Sequence, residues 1–168
     1  MARTTSGSAT LTLPNDEQIL ITREFDAPRD LVYKAWTTPE LVARWWHAKR
    51  GEVTVVEIDL VVGGKWRYVM VADDGMEVGL HGEYREIVPG ERIVSTETYE
   101  GLPEGVSEDD GTTINTVSFE EEAGRTRLTM LIEATSKLAR DAIIESGMES
   151  GLQDALDLLE QTAQSLRR

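Results

Sequence analysis

From Lys65 to Ala72 the chain reads Lys-Trp-Arg-Tyr-Val-Met-Val-Ala, which puts Trp66, Tyr68 and Met70 on one face of a strand and Lys65, Arg67 and Val69 on the other. Aromatic rings and a thioether on one face can line a site that adapts to an apolar or aromatic molecule. The phenols of Tyr68 and Tyr84 would supply the few polar contacts that orient it. Bond-making chemistry is poorly represented. His47 and His81 fall in separate elements with no nucleophile motif beside them. The absence of Cys removes thiolate nucleophiles, disulfides and Cys-based metal sites together. Glu108-Asp109-Asp110-Gly111 lacks the alternating oxygens of a calcium loop and reads as solvated acidic chain. Gly63-Gly64 reads as a strand turn rather than a phosphate loop. These patterns assign no catalytic residue, no metal ligand and no cofactor site.

The next strand sets which way the aromatic face points. A three-residue loop Asp73-Asp74-Gly75, with Gly75 left-handed, opposes Trp66, Tyr68 and Met70 to Gly82, Leu80 and Val78. A two-residue loop would oppose them to Glu83, His81 and Gly79. A one-residue slip exchanges faces, so the apolar match selects the first register, places Tyr84 inside and turns His81 outward.

Residues 1–14 are small and polar without a period and read as a flexible tail ahead of a single domain over 15–168. Gln18 to Phe25 has the β-branched content of a strand. Asp26-Ala27-Pro28 then offers an N-cap and a first-turn proline, and Thr38-Pro39-Glu40 repeats the signal. Leu41 with Trp45, and Val42 with Trp46, are i,i+4 pairs. Adjacent tryptophans cannot share a helix face: Trp45 is expected inside with Leu41, and Trp46 with His47 at the mouth between the short helices and the sheet. Six strands follow, Val53–Leu60, Lys65–Ala72, Met76–Ile87, Arg92–Tyr99, Thr112–Phe119 and Thr126–Glu133, separated by Gly-containing turns. One connection is long. Residues 100–111 hold three Gly, one Pro and the acidic run, and read as a mobile loop.

The last element is expected to be one helix from about Ser136 to Gln164, with Ile144, Met148, Leu152, Ala155, Leu159 and Ala163 as its apolar stripe. Gly147 and Gly151 lie i,i+4 in that helix, each costing about 1 kcal/mol relative to Ala. Close approach to a bulky side chain such as Trp66 or Trp45 would offset this, as would room for a ligand or a bend. The order β-α-α-β6-α describes an α+β domain, a curved antiparallel sheet whose inner face is covered by the long C-terminal helix.

The chain carries 31 Asp and Glu against 17 Lys and Arg, a net charge of −14 over 168 residues. Such a surface repels nucleic acid and anionic membranes, and no apolar run approaches the ~20 residues of a membrane span. A cytoplasmic protein is expected.

The chain resembles the activator of the heat-shock-protein-90 ATPase and its bacterial homologues, within the START-like (SRPBCC, birch-pollen-allergen-like) superfamily. The resemblance rests on Arg23-Glu24-Phe25-Asp26-Ala27-Pro28, Trp36-x-x-Pro39-x-Leu41-x-x-x-Trp45-Trp46, Asp59-x-x-x-Gly63-Gly64-x-Trp66, and Gly82-x-Tyr84-x-Glu86-Ile87-x-Pro89 before Arg92-Ile93. Thr116-Val117-Ser118-Phe119, Gly124-x-Thr126-x-Leu128 and Gly147-Met148 extend it to about residues 18 to 163. It implies a helix-grip fold with an apolar cavity under the last helix. On that basis Trp45, Trp66, Tyr68, Met70, Tyr84, Met130, Met148, Gly151 and Leu152 are the expected ligand-binding residues, the other reading being that they simply pack as core. The first expectation is a non-enzymatic domain in a stress-related or regulatory role. The resemblance also implies a co-chaperone-like module with a chaperone-like protein partner for its acidic surface. By fold analogy it implies, last, a cyclase-like or hydrolytic enzyme in which Tyr68, Tyr84, Glu97 or His81 guides proton transfer. A buried carboxylate with a raised pKa would mark that case.

Overall fold

Alternation shows most plainly in β2 (Gln18–Phe25), where Ile19, Ile21, Arg23 and Phe25 are buried and the residues between them are not. A computed structural model describes residues 9–100 and 111–167. Beside β2 lies a short β1 (Thr10–Thr12). After β2 come α1 (Arg29–Thr37), α2 (Pro39–Val42), β3 (Gly51–Ile58), β4 (Lys65–Ala72), β5 (Glu77–Val88), β6 (Arg92–Glu100), β7 (Thr112–Glu122) and β8 (Arg125–Glu133). Two helices follow, α3 (Lys137–Glu145) and α4 (Met148–Ser165). The strands form one antiparallel sheet in the order β1-β2-β8-β7-β6-β5-β4-β3. This is the helix-grip architecture.

The β4–β5 hairpin has the expected register: Trp66, Tyr68 and Met70 pair with Gly82, Leu80 and Val78. Gly75 is left-handed at φ 89°, as a three-residue loop requires. Bulges at Thr54 in β3 and around Arg85 in β5 interrupt the ladders. Such insertions bend a strand and raise its local twist, helping the sheet curl.

Three expectations need correction. The stretch read as tail contains a strand, because Leu11 pairs with Ile21 and the Gln153 amide in α4 exchanges two hydrogen bonds with the Ala9 backbone, at 2.9 and 3.0 Å. Residues 1–8 lie outside the described residues, as does most of the loop expected at 100–111.

The single last helix is two. Ser136 Oγ caps α3 by accepting from Ala139 N, and Gly147 at φ 84° ends the run before α4 begins. Gly147 is therefore a left-handed helix terminator, where glycine is favoured, rather than a costly interior residue. Asp26 does not cap α1. That helix starts after Pro28, and its Arg29 N–H donates to Glu121 Oε1 of β7 at 2.7 Å; a carboxylate from across the fold satisfies the orphan donor.

The closed core joins β2, α1 and the second half of α4. Phe25, Val32, Leu128, Leu156 and Leu159 are wholly buried there. Trp45 packs inside this core as expected, stacked on Trp36 at 5.0 Å, its indole N–H donating to the Ala35 carbonyl at 3.0 Å.

Candidate functional site

The inner face of the sheet is packed more fully at one end than at the other. Toward α1 and the end of α4 it is sealed by the core above. Toward the start of α4 the side chains that face inward, Tyr68, Leu80, Glu97, Met130, Met148 and Leu152, all keep accessible surface. Burial nevertheless raises the Tyr68 phenol well above its ordinary pKa and lifts Glu97 to about 7. Side chains that are accessible and yet strongly desolvated line a recess rather than a flat surface.

One wall is aromatic. Trp66 reaches across β5 to donate its indole N–H to the Thr96 carbonyl at 3.2 Å. Gly82, its cross-strand partner, makes that reach possible: a Cβ there would overlap the Thr96 carbonyl oxygen and sit 2.6 Å from Trp66 Nε1. Tyr68 stands beside Trp66, centroids 4.9 Å apart, and meets Trp46 edge-on at 5.5 Å. Trp46 is half-buried and sits at the rim, as its sequence position suggests.

The floor is polar at one place. Register puts Glu97 opposite Thr113, and Ser95 opposite Asn115, all four on the inner side of β6 and β7. Thr113 Oγ1 donates to Asn115 Oδ1 at 3.0 Å, which orients the amide so that its N–H₂ donates to the Glu97 carboxyl. Burial outweighs this hydrogen bond and keeps Glu97 near neutrality. Among the described residues no cation contributes to its shift. This is the raised, recessed carboxylate that the enzyme alternative asked for.

The remaining expected residues divide. Met130, Met148 and Leu152 flank the recess, packed in part against Ile19, Ile21 and Ile132. At Gly151 an added Cβ would meet no atom within 4 Å, so α4 has open space there rather than a tight contact. Trp45 and Met70 are packed as core; a Cβ added at Gly51 would come within 2.9 Å of Met70 Cε. Tyr84 is buried, and burial raises its phenol. Its backbone is pinned by the Gly63-Gly64 turn, through Gly63 N to Tyr84 O at 2.8 Å and Tyr84 N to Gly64 O at 2.9 Å.

His81 faces outward, as its register demands, with Nδ1 3.0 Å from Glu100 Oε2. Arg67 holds the same carboxylate with two hydrogen bonds of 2.8 and 2.9 Å and, with His81, keeps it below its usual range. This trio lies on the opposite face of the sheet from the recess.

Two features emerge only from the structure. Asn115 and Thr113 become a pair with Glu97 only once β6 and β7 are in register. Arg23 occupies an apolar position of β2, its side chain fully buried, and donates to Asp157 at 2.8 Å and Glu160 at 3.1 Å of α4. Its guanidinium also lies 5.0 Å from the Phe25 ring centroid. Glu160 accepts from Asp26 N at 2.7 Å, so one carboxylate closes β2 and the following turn onto α4.

The curved antiparallel sheet and the helix it grips define a START-like domain. The chain belongs to the family of activator of Hsp90 ATPase homolog 1-like proteins, whose model matches residues 26–164. A search of curated proteins finds no match. Among solved structures, a crystal structure from Rhodobacter sphaeroides is 24% identical with TM-score 0.84, covering 95% of this chain and all of its own. A solution structure from Arthrobacter aurescens is 25% identical with TM-score 0.81, covering 96% and 93%. An AHSA1-like protein from Aeromonas hydrophila is 23% identical with TM-score 0.65, covering 87% and 92%. The family supports a ligand-binding or co-chaperone-like domain in general terms. Among the described residues no helix is long and apolar enough to cross a membrane.

Proposed function

We propose that this domain binds a small apolar or aromatic molecule in the recess between the aromatic wall and the start of α4, and that it acts as a carrier or sensor rather than a catalyst. One observation carries this reading: on the inner face toward the start of α4, Tyr68, Leu80, Glu97, Met130, Met148 and Leu152 are all only partly buried, whereas Phe25, Val32, Leu128, Leu156 and Leu159 are wholly buried. A protein that used this face only as core would gain about 25 cal/mol for each Å² of apolar surface it closed there. Leaving it open fits a surface kept for a ligand. Trp46 at the rim and Tyr68 below it would meet the molecule first. The setting we propose is cytoplasmic and regulatory or stress-related.

Native mass spectrometry of protein purified from its own cells, with tryptophan fluorescence titrated against apolar and aromatic compounds, tests the reading. A retained mass or a saturable change that disappears in a Tyr68→Ala, Met148→Ala variant supports it. A flat titration across the panel overturns it and moves attention to salt-sensitive binding of a protein partner at the acidic surface.

A further inference from the structure

Glu97 poses a problem that the apolar ligand alone does not solve. A carboxyl group in a desolvated recess is normally matched by a cation or by enough donors to satisfy both oxygens. Here the side chain from Asn115 donates to it, and Thr113 is spent on orienting that amide. Arg67, on β4 two strands away, points to the opposite face, where it is engaged by Glu100. Among the described residues the recess therefore presents the Glu97 carboxyl, held near neutrality by burial, close to Tyr68, whose ring adjoins those of Trp66 and Trp46.

Aromatic faces carry negative potential, and a carboxylate carries a full charge. Placed together in a recess of low dielectric, they are complementary to one kind of ligand head. Resting on the reading of the recess as a ligand site, we infer that Glu97, positioned by Asn115, anchors a protonated amine, and that the natural ligand is a small aromatic or apolar amine rather than a plain hydrocarbon or an acid. An ammonium group would complete the hydrogen bonding of the carboxylate and would face the rings, while its apolar body filled the space beside Met148, Gly151 and Leu152. An anionic ligand would meet repulsion at the same point.

The test is displacement of the uncharged fluorescent probe N-phenyl-1-naphthylamine by three ligands of matched size, phenethylamine, 2-phenylethanol and propylbenzene, at about pH 8, where Glu97 is ionised. The expected result is that phenethylamine displaces the probe at about a tenth of the concentration needed for propylbenzene. Glu97→Gln should abolish that preference while the probe still binds. Asn115→Leu, which leaves the carboxyl but removes its positioning amide, should weaken the preference and provides the answer if Glu97→Gln fails to fold. If the probe binds and phenethylamine does no better than propylbenzene, the recess stands and the amine anchor is wrong. A preference for phenethylamine that survives Glu97→Gln also overturns it. If neither probe nor ligands bind, the recess reading falls and takes this inference with it.

Discussion

Trp66 lies across Gly82, and the missing side chain of the glycine is the space through which the indole N–H reaches the Thr96 carbonyl at 3.2 Å. The contact ties β4 to β6 over the intervening β5, and it sets the plane of the ring that forms the aromatic wall.

Gly82→Ala is accordingly expected to destabilise the domain by about 1–3 kcal/mol, the range for forcing extra volume into packed surroundings. The neighbouring atom in the way is backbone, which cannot swing aside. Chemical denaturation would read the shift, and an unchanged midpoint would mean that β5 and β6 move apart at little cost.

Arg23 should be among the most sensitive polar positions. Its side chain is fully buried and pairs with two carboxylates of α4, so Arg23→Ala leaves Asp157 and Glu160 facing an empty polar site. Breaking a buried pair from one side costs about 3–5 kcal/mol. Because Asp157 is still about one-third exposed at its side chain, the lower part of that range is expected. Arg23→Met, which keeps the packing over Phe25, should recover part of the loss.

Glu97 predicts a pH dependence of stability. Its carboxyl titrates at about 7 in the folded chain, against about 4.3 in an unfolded one. Between those values the folded protein retains a proton that the unfolded chain has released, so stability declines as pH rises through the window. Above it, the domain bears the full penalty of a few kcal/mol. Glu97→Gln should therefore melt higher than the parent at about pH 8, with the gap closing toward about pH 4.5. Parallel melting curves over that range would show that Glu97 is well solvated.

Gly151 tests occupancy of the recess without touching its polar floor. An added Cβ there meets no atom within 4 Å, so Gly151→Phe should leave the fold intact and, by replacing glycine inside a helix, even recover some helix propensity. The ring would occupy space beside Met148 and Leu152. Loss of ligand binding with an unchanged melting temperature is the expected outcome; unaltered affinity would remove Gly151 from the site.

Much of this arrangement was legible in the chain, for identifiable reasons. The Asp73-Asp74-Gly75 loop and the match of Trp66, Tyr68 and Met70 with Gly82, Leu80 and Val78 left one sensible register, and the structure has it. Trp45 inside and Trp46 at the rim followed from their adjacency. The helix break did not, because Ile144, Met148 and Leu152 keep their spacing across it; only Gly147, as a left-handed terminator, marked the spot. The partnership of Glu97 with Asn115 was beyond reach, since the long segment between β6 and β7 leaves their register free until the strands pair. Arg23 was masked by its setting, a charge at an inward position whose partners lie more than 130 residues away.

β2 pairs with β8 over eight consecutive residue pairs, from Gln18 with Glu133 to Phe25 with Thr126, and α4 is fastened to the same strand by Arg23. β2 and α4 thus meet in one clasp, while every hairpin from β3 to β8 lies in the stretch between. A pulling force applied between β2 and α4 is borne by the two ion pairs and then by the β2–β8 ladder, and the meander that walls the recess carries load only after the clasp has given way.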